Sequence, residues 1–219
     1  EVDMRLRPSG NQGPVATSWA AFQSYQTEEA WVWEHLALTR AQVVAGPEDL
    51  AADVEAFRQR LLARPHVLGE VAAEVAQMRA RISAAKTPAN LWEVKIGPGR
   101  LQDIELVAQA GSLVLGDPEA GTESGLRAAV EAGLLGQSQA HVLTQANRFY
   151  TAVQMAVRLL SEKPLDADEV GPSGRAFLLR TLEEETMHSL ENRLSESYLQ
   201  VDEVISAALA PHVPAEVQE

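Results

Sequence analysis

Apolar and charged residues alternate strictly near the start of the chain. Val2, Met4 and Leu6 are apolar, while Asp3, Arg5 and Arg7 are charged. A period of two is the signature of a half-buried strand, and Pro8-Ser9-Gly10 stops it. A lone short strand needs sheet partners, and no obvious set follows it. The partners are therefore expected upstream, and the chain is expected to be a fragment of a longer protein.

Beyond Thr17-Ser18 the period becomes 3.6. Trp19, Phe22, Tyr25 and Gln26 follow a Ser/Thr N-cap. The segment Trp31-Val32-Trp33-Glu34-His35-Leu36 carries the helical pattern on to Val44, and Gly46-Pro47 ends it. Pro47 suits the first position of the next helix, which is expected from Glu48 to Ala63 and broken by Pro65. The stripe Val71, Val75, Met78 and Ile82 predicts a helix over 67–85. Trp92–Ile96 reads as a short strand, terminated by Gly97-Pro98-Gly99. Helices are predicted over 101–115, 123–134 and 138–161, with a turn-rich break at 117–122 and a loop over 164–174. The last helix starts near Arg175, has a candidate break before Thr186, and fades near Pro211. The fold class expected is mainly α, a bundle-like helical domain.

Composition agrees with this. Alanine is abundant and aromatics make up only 5% of the 219 residues, a helix-rich usage. The length allows one to two domains with a sizeable core. Lys and Arg number 18 and Asp and Glu 31, for a net charge of −13. That balance disfavours nucleic acid and anionic membranes as partners. No apolar run approaches a membrane span, and the charged opening has no signal-peptide pattern, so a cytoplasmic location is expected. Absence of cysteine removes disulfides, thiolate zinc sites and thiol nucleophiles. Residues 161–219 hold four basic and thirteen acidic side chains, so most of the net charge lies there. An acidic docking face would look like this, but a solvated helix surface is the commoner meaning.

Asp3, Arg5 and Arg7 share one face of the first strand. A carboxylate beside two guanidiniums suits a metal–polyphosphate site, although spacing alone favours a plain Asp–Arg ladder. Lys95, Asp103 and Glu105 flank Gly97-Pro98-Gly99, and glycines before a helix can approach a phosphate. The segment is neither a Walker A loop nor a dinucleotide fingerprint. Asp103 and Glu105 are two apart on a helix, so they face different ways. Trp31 and Trp33, beside Glu28, Glu29, Glu34 and His35, are expected in the core. His188 among Glu183, Glu184, Glu185 and Glu191 lacks zinc-site spacing, and the Asp166-x-Asp168 pair fails as a calcium loop.

Several stretches taken together resemble one family. They are Glu1 to Gly10, Gly13-Pro14-Val15-Ala16-Thr17-Ser18, Ala21-Phe22, Glu29-Ala30-Trp31-Val32-Trp33-Glu34-His35, Ala37-Leu38-Thr39-Arg40-Ala41, Val43-Val44-Ala45-Gly46 and Asp103-Ile104-Glu105. In this order over residues 1–110, they are similar to the bifunctional glutamine synthetase adenylyltransferase/adenylyl-removing enzymes. The Pro-Ser-Gly ending and the Glu-Ala-Trp-x-Trp-Glu-His stretch resemble the C-terminal, adenylylating half.

The resemblance implies a truncated α/β nucleotidyltransferase domain, whose last strand and following helices are residues 1–46, with a helical domain over 47–219. It implies transfer of AMP from ATP to a tyrosine of glutamine synthetase, in the presence of Mg2+, with the PII signal protein as regulator of the whole enzyme. Asp3 matches the third of three metal-binding carboxylates, the other two coming from an Asp-x-Asp pair after a Gly-Ser turn. That segment is expected upstream of Glu1, so the fragment alone is expected to be inactive. Arg5 and Arg7 match arginines that serve ATP binding or site structure. Arg40 and Lys95 match candidate nucleotide-binding positions, and Glu34, Asp103 and Glu105 match motif positions without an assigned role. Gln42 stands where arginine is usual. Arg100 stands where a second glycine is usual, which argues against a close phosphate approach at that loop. Two other readings stay open: a non-catalytic helical docking module, and the phosphorolytic, adenylyl-removing half.

Overall fold

The computed structural model describes residues 13–116 and 121–212. The expected strand over residues 2–7, with Asp3, Arg5 and Arg7, lies outside the described residues. Within them the chain is mainly α, as expected. It forms α1 (Trp19–Glu28), α2 (Val32–Leu38), α3 (Glu48–Leu62), α4 (Leu68–Ala85), α5 (Leu101–Leu115), α6 (Thr122–Glu131), α7 (Gln137–Leu160), α8 (Pro172–Leu182) and α9 (Met187–Leu209). A 3-10 turn, Ala210–His212, follows. The described residues contain no strand.

The starts and stops have local causes. The Ser18 hydroxyl accepts from the Ala21 N–H and caps α1. Pro172 opens α8 at a position where its missing N–H is harmless. Between α8 and α9 the chain turns through Glu183 at φ 56, and Thr186 caps α9 by accepting from the Ser189 N–H. The candidate break before Thr186 is therefore a real one.

Two expected elements differ. The second helix stops at Leu38, not Val44. The Arg58 guanidinium donates to the Leu38 and Thr39 carbonyls, and the Thr39 hydroxyl turns back to the Leu36 carbonyl at 2.7 Å. These bonds close the helix end, and Val43 and Val44 are left exposed. The second difference is Trp92–Ile96, which is a series of turns and not a strand. Trp92 and Val94 are buried, as the alternation implies. Their stretch of backbone is occupied elsewhere: the Val94 and Lys95 carbonyls accept from the Leu101 and Gln102 N–H groups at the start of α5. Arg100 donates to the carbonyls of Asn90 and Glu93. The segment caps a helix and fixes an arginine, so it has no ladder to offer a sheet.

Helix α5 is the centre of the bundle and touches α2, α4, α6, α7 and α9. Ile104, Val107, Ala110 and Leu113 on it are fully buried, joined by Leu36, Val75, Tyr150, Leu194 and Ile205 in one core. Its contact with α6 is very close. A Cβ on Gly111 would overlap the Ala129 backbone nitrogen, and one on Gly125 would overlap the Ala108 carbonyl oxygen. A second, smaller cluster of Trp19, Phe22 and Phe57 joins α1 to α3, with ring centroids 5.4 to 6.2 Å apart.

Candidate functional site

The motif positions fall in four separate places. Glu34 is at the third position of α2 and is buried. Its carboxylate accepts from the Trp31 N–H at 2.9 Å and from the Tyr25 hydroxyl at 2.8 and 3.0 Å. It is thus a capping carboxylate that also ties α1 to α2. Of the two tryptophans expected in the core, Trp31 is 61% exposed and Trp33 only partly buried, while Glu34 is inside. The carboxylate must satisfy two donors, whereas the indole starts the helix on its outer side.

Arg40 and Glu105, sixty-five residues apart, meet as an ion pair at 2.8 Å. The pair fastens the segment after α2 to the second turn of α5. The Arg40 side chain is 51% exposed, and it can turn to another anion only by leaving Glu105. Lys95 is exposed and makes no ion pair among the described residues.

Asp103 faces away from Glu105, as its spacing predicts. It is buried at the junction of α4, α5 and α9. Its Oδ2 accepts from the Gly99 N–H at 3.0 Å and from Arg79 Nη2 at 2.8 Å, and the same Arg79 nitrogen donates to Asp202 Oδ1 at 2.7 Å. Burial works to lower the Arg79 pKa, but the two carboxylates more than offset it and hold the guanidinium above its ordinary value.

The Gly97-Pro98-Gly99 turn packs on α9. Gly99 has φ +67, and a Cβ there would overlap the Tyr198 carbonyl oxygen. The glycine is needed for this helix contact. Arg100, in place of a further glycine, stacks over the Tyr198 ring at 4.2 Å, and the Tyr198 hydroxyl donates to the Leu91 carbonyl at 3.0 Å. Burial lowers the Arg100 pKa and raises that of Tyr198. It also pushes Tyr150, which shares a 2.8 Å hydrogen bond with Ser197, up to about 12.

The sequence reading did not single out Arg79, Asp202 or Arg58. Arg79 follows Met78 on a stripe that otherwise reads as apolar, and that was the available signal. No group of three or more His, Asp or Glu able to hold a metal occurs among the described residues. In the acidic third, Glu183 and Glu185 are exposed. Glu184 accepts from the Ser189 hydroxyl and from Arg193, which hold its pKa below the usual range. No helix among the described residues is long and apolar enough to cross a membrane.

With this geometry in place, the comparisons define the class. Residues 69–208, more than half of the chain and the span from α4 almost to the end of α9, match the family model described as GlnD PII-uridylyltransferase. The bundle from α4 onward thus belongs with the family that this model describes. Residues 1–57 match the model described as Glutamate-ammonia ligase adenylyltransferase. The chain belongs to the glutamine synthetase adenylyltransferase family, with a helical part of the uridylyltransferase-related kind. It is 37% identical over 202 residues to the bifunctional glutamine synthetase adenylyltransferase/adenylyl-removing enzyme of Rhodopseudomonas palustris, covering 90% of this chain and 20% of that protein. It is 40% identical over 186 residues to the protein of the same name from Rhizobium meliloti, covering 82% and 19%. The Brucella suis protein of that name is 36% identical over 201 residues, covering 90% and 20%. The chain therefore spans about a fifth of the length of the curated relatives it matches.

Proposed function

We propose that the chain is part of an enzyme that transfers AMP from ATP to a tyrosine of glutamine synthetase, and that it comes from the adenylylating half. Residues 1–46 would end the nucleotidyltransferase domain, and residues 47–219 would form the helical domain behind it. The observation that carries this reading is the match of residues 1–57 to the adenylyltransferase model, a span that includes Asp3, Arg5 and Arg7. In the reaction, the tyrosine oxygen attacks the α-phosphorus of ATP, the bond to the β-phosphate breaks, and pyrophosphate leaves as the hydroxyl proton is lost.

The donor set of Asp3, Arg5 and Arg7 suits a metal–triphosphate. Asp3 offers a carboxylate to Mg2+, which when bound neutralises phosphate charge and orients the triphosphate. Arg5 and Arg7 supply guanidiniums to phosphate oxygens. Lys95 is an exposed cation of the same sign. Arg40 takes part only after exchanging Glu105 for phosphate. Regulation through the PII protein and a cytoplasmic setting belong to the longer enzyme. Only Asp3 of the three metal carboxylates falls in this sequence, so the 219 residues alone are expected to lack transferase activity.

The test uses glutamine synthetase, Mg2+ and ATP labelled in its α-phosphate. The 219-residue chain is compared with the same chain extended upstream in its reading frame. Label on a glutamine synthetase tyrosine is expected only with the extended chain. Label from the 219 residues alone overturns the fragment reading. Phosphate-dependent release of ADP from adenylylated synthetase, without forward transfer, assigns the chain to the adenylyl-removing half.

One observation favours a second reading, a docking module: the concentration of acidic residues in 161–219, with Glu183 and Glu185 exposed on the joint between α8 and α9. Retention of glutamine synthetase by the chain, lost in Glu183→Gln/Glu185→Gln, supports it. Glu184 is kept intact in that variant because it holds Arg193 and Ser189. No retention by the unaltered chain counts against it.

A further inference from the structure

A cleft of about 420 Å3 opens between α4 and α9, lined also by the Gly97-Pro98 turn and Ala210. Adenylyl transfer as proposed above uses none of its residues. Most of its wall is small or apolar, with Ala73, Ala76, Ala80, Ile82 and Leu209 contributing. The charged part of the wall is Arg79, Asp103 and Asp202.

The hydrogen bonds of that cluster leave acceptors unused. Arg79 donates to Asp103 Oδ2 and Asp202 Oδ1, and the Gly99 N–H also goes to Asp103 Oδ2. Asp103 Oδ1 and Asp202 Oδ2 accept from no described residue. One guanidinium against two carboxylates leaves a residual negative charge. The Asp103 side chain is only 8% exposed and that of Asp202 is 41% exposed, so the charge sits partly out of water, where it acts more strongly on a ligand.

We propose that this cleft binds a small organic cation, with a primary ammonium against the two unused carboxylate oxygens and a short apolar body along the alanine wall. The residual charge selects the sign. An anion would meet a negative lining, and a neutral apolar ligand would bury the carboxylates without pairing them. The wall selects the body, since apolar contact there removes alkyl surface from water. The volume is that of a small-molecule pocket, a class that runs from about 300 to 1,000 Å3.

The test titrates the full 219-residue chain with n-propyl-, n-butyl- and n-hexylammonium chloride, followed by amide chemical shifts. Sodium butyrate and n-butanol serve as controls at matched ionic strength. Saturable shifts are expected at α4, α9 and residues 97–99, with affinity rising by up to about fourfold per methylene. Butyrate and butanol should give none. Asp202→Asn should weaken binding by roughly tenfold or more, because it removes a charged acceptor. Ala80→Phe, at an exposed helix position, fills the cleft without altering a charge and should abolish binding. The proposal is overturned if no ammonium saturates the site, if butanol binds as well as butylammonium, or if either variant binds like the unaltered chain.

Discussion

Arg79 is the residue on which three helices depend. It is mostly buried, and its partner Asp103 is buried further. Removing one member of such a group leaves a charge without compensation, which costs more than an exposed pair ever contributes. Arg79→Leu is therefore expected to lower the unfolding free energy by about 3 kcal/mol, and Asp202→Asn by less than about 1 kcal/mol because Asp202 is half exposed. Urea denaturation of the two variants checks the order. His66 gives a pH prediction. Burial, then the neighbouring His35 and Arg64, lower its pKa below 6.5, and its Nε2 is buried without a hydrogen-bond partner. The unfolded chain therefore binds this proton more tightly than the folded one. The neutral form is fully suited to the fold above pH 6.5, and stability falls as pH drops from there toward the folded-state value. His66→Gln should flatten that part of the stability–pH curve, as measured by denaturation between pH 7.5 and pH 5.5. At this scale the sequence was partly legible: spacing alone placed Asp103 and Glu105 on different sides. It could not show that Glu34 is buried and Trp31 exposed, because that depends on two donors, one of them from another helix.

At the scale of elements, the 3.6-residue period and the Gly, Pro and Ser/Thr signals placed the helices well, because most of them bury one stripe and end at residues that cannot continue them. The failures have a common cause. Helix α2 stops early because Arg58, twenty residues beyond Leu38, takes its last carbonyls. Trp92–Ile96 alternates like a strand because Trp92 and Val94 face the core, yet its carbonyls serve Arg100 and the start of α5. Alternation reports burial and says nothing of hydrogen-bond partners. The α5–α6 contact yields a prediction whose sign packing decides. Alanine is favoured over glycine within a helix by about 1 kcal/mol, but a Cβ at Gly111 runs into the α6 backbone. Gly111→Ala should destabilise by about 1–3 kcal/mol net, since backbone cannot yield as a side chain can. A stabilised variant in thermal unfolding would show that α5 and α6 can separate freely. Thr186→Ala removes the α9 cap and should lower stability by about 1 kcal/mol in the same assay.

For the whole molecule, the helical bundle is a single core built around α5, and α2 contributes Leu36 to it. The end of the proposed nucleotidyltransferase portion is thus packed directly against the helical domain, and Arg40–Glu105 adds a second tie. Such packing would transmit the position of the bundle to whatever precedes α1. The fold class was legible from period and composition; the proposed chemistry was legible only through resemblance, since Asp3, Arg5 and Arg7 stand in a short alternating stretch of sequence with many ordinary explanations. The most direct test is therefore AMP incorporation into a tyrosine of glutamine synthetase by the chain extended upstream in its reading frame, with Asp3 intact and as Asp3→Asn. The account predicts incorporation that depends on Mg2+ and falls by at least about a hundredfold in Asp3→Asn, as expected when a group that stabilises transition-state charge is lost. Equal incorporation by the two forms, or none by the extended chain, would contradict it.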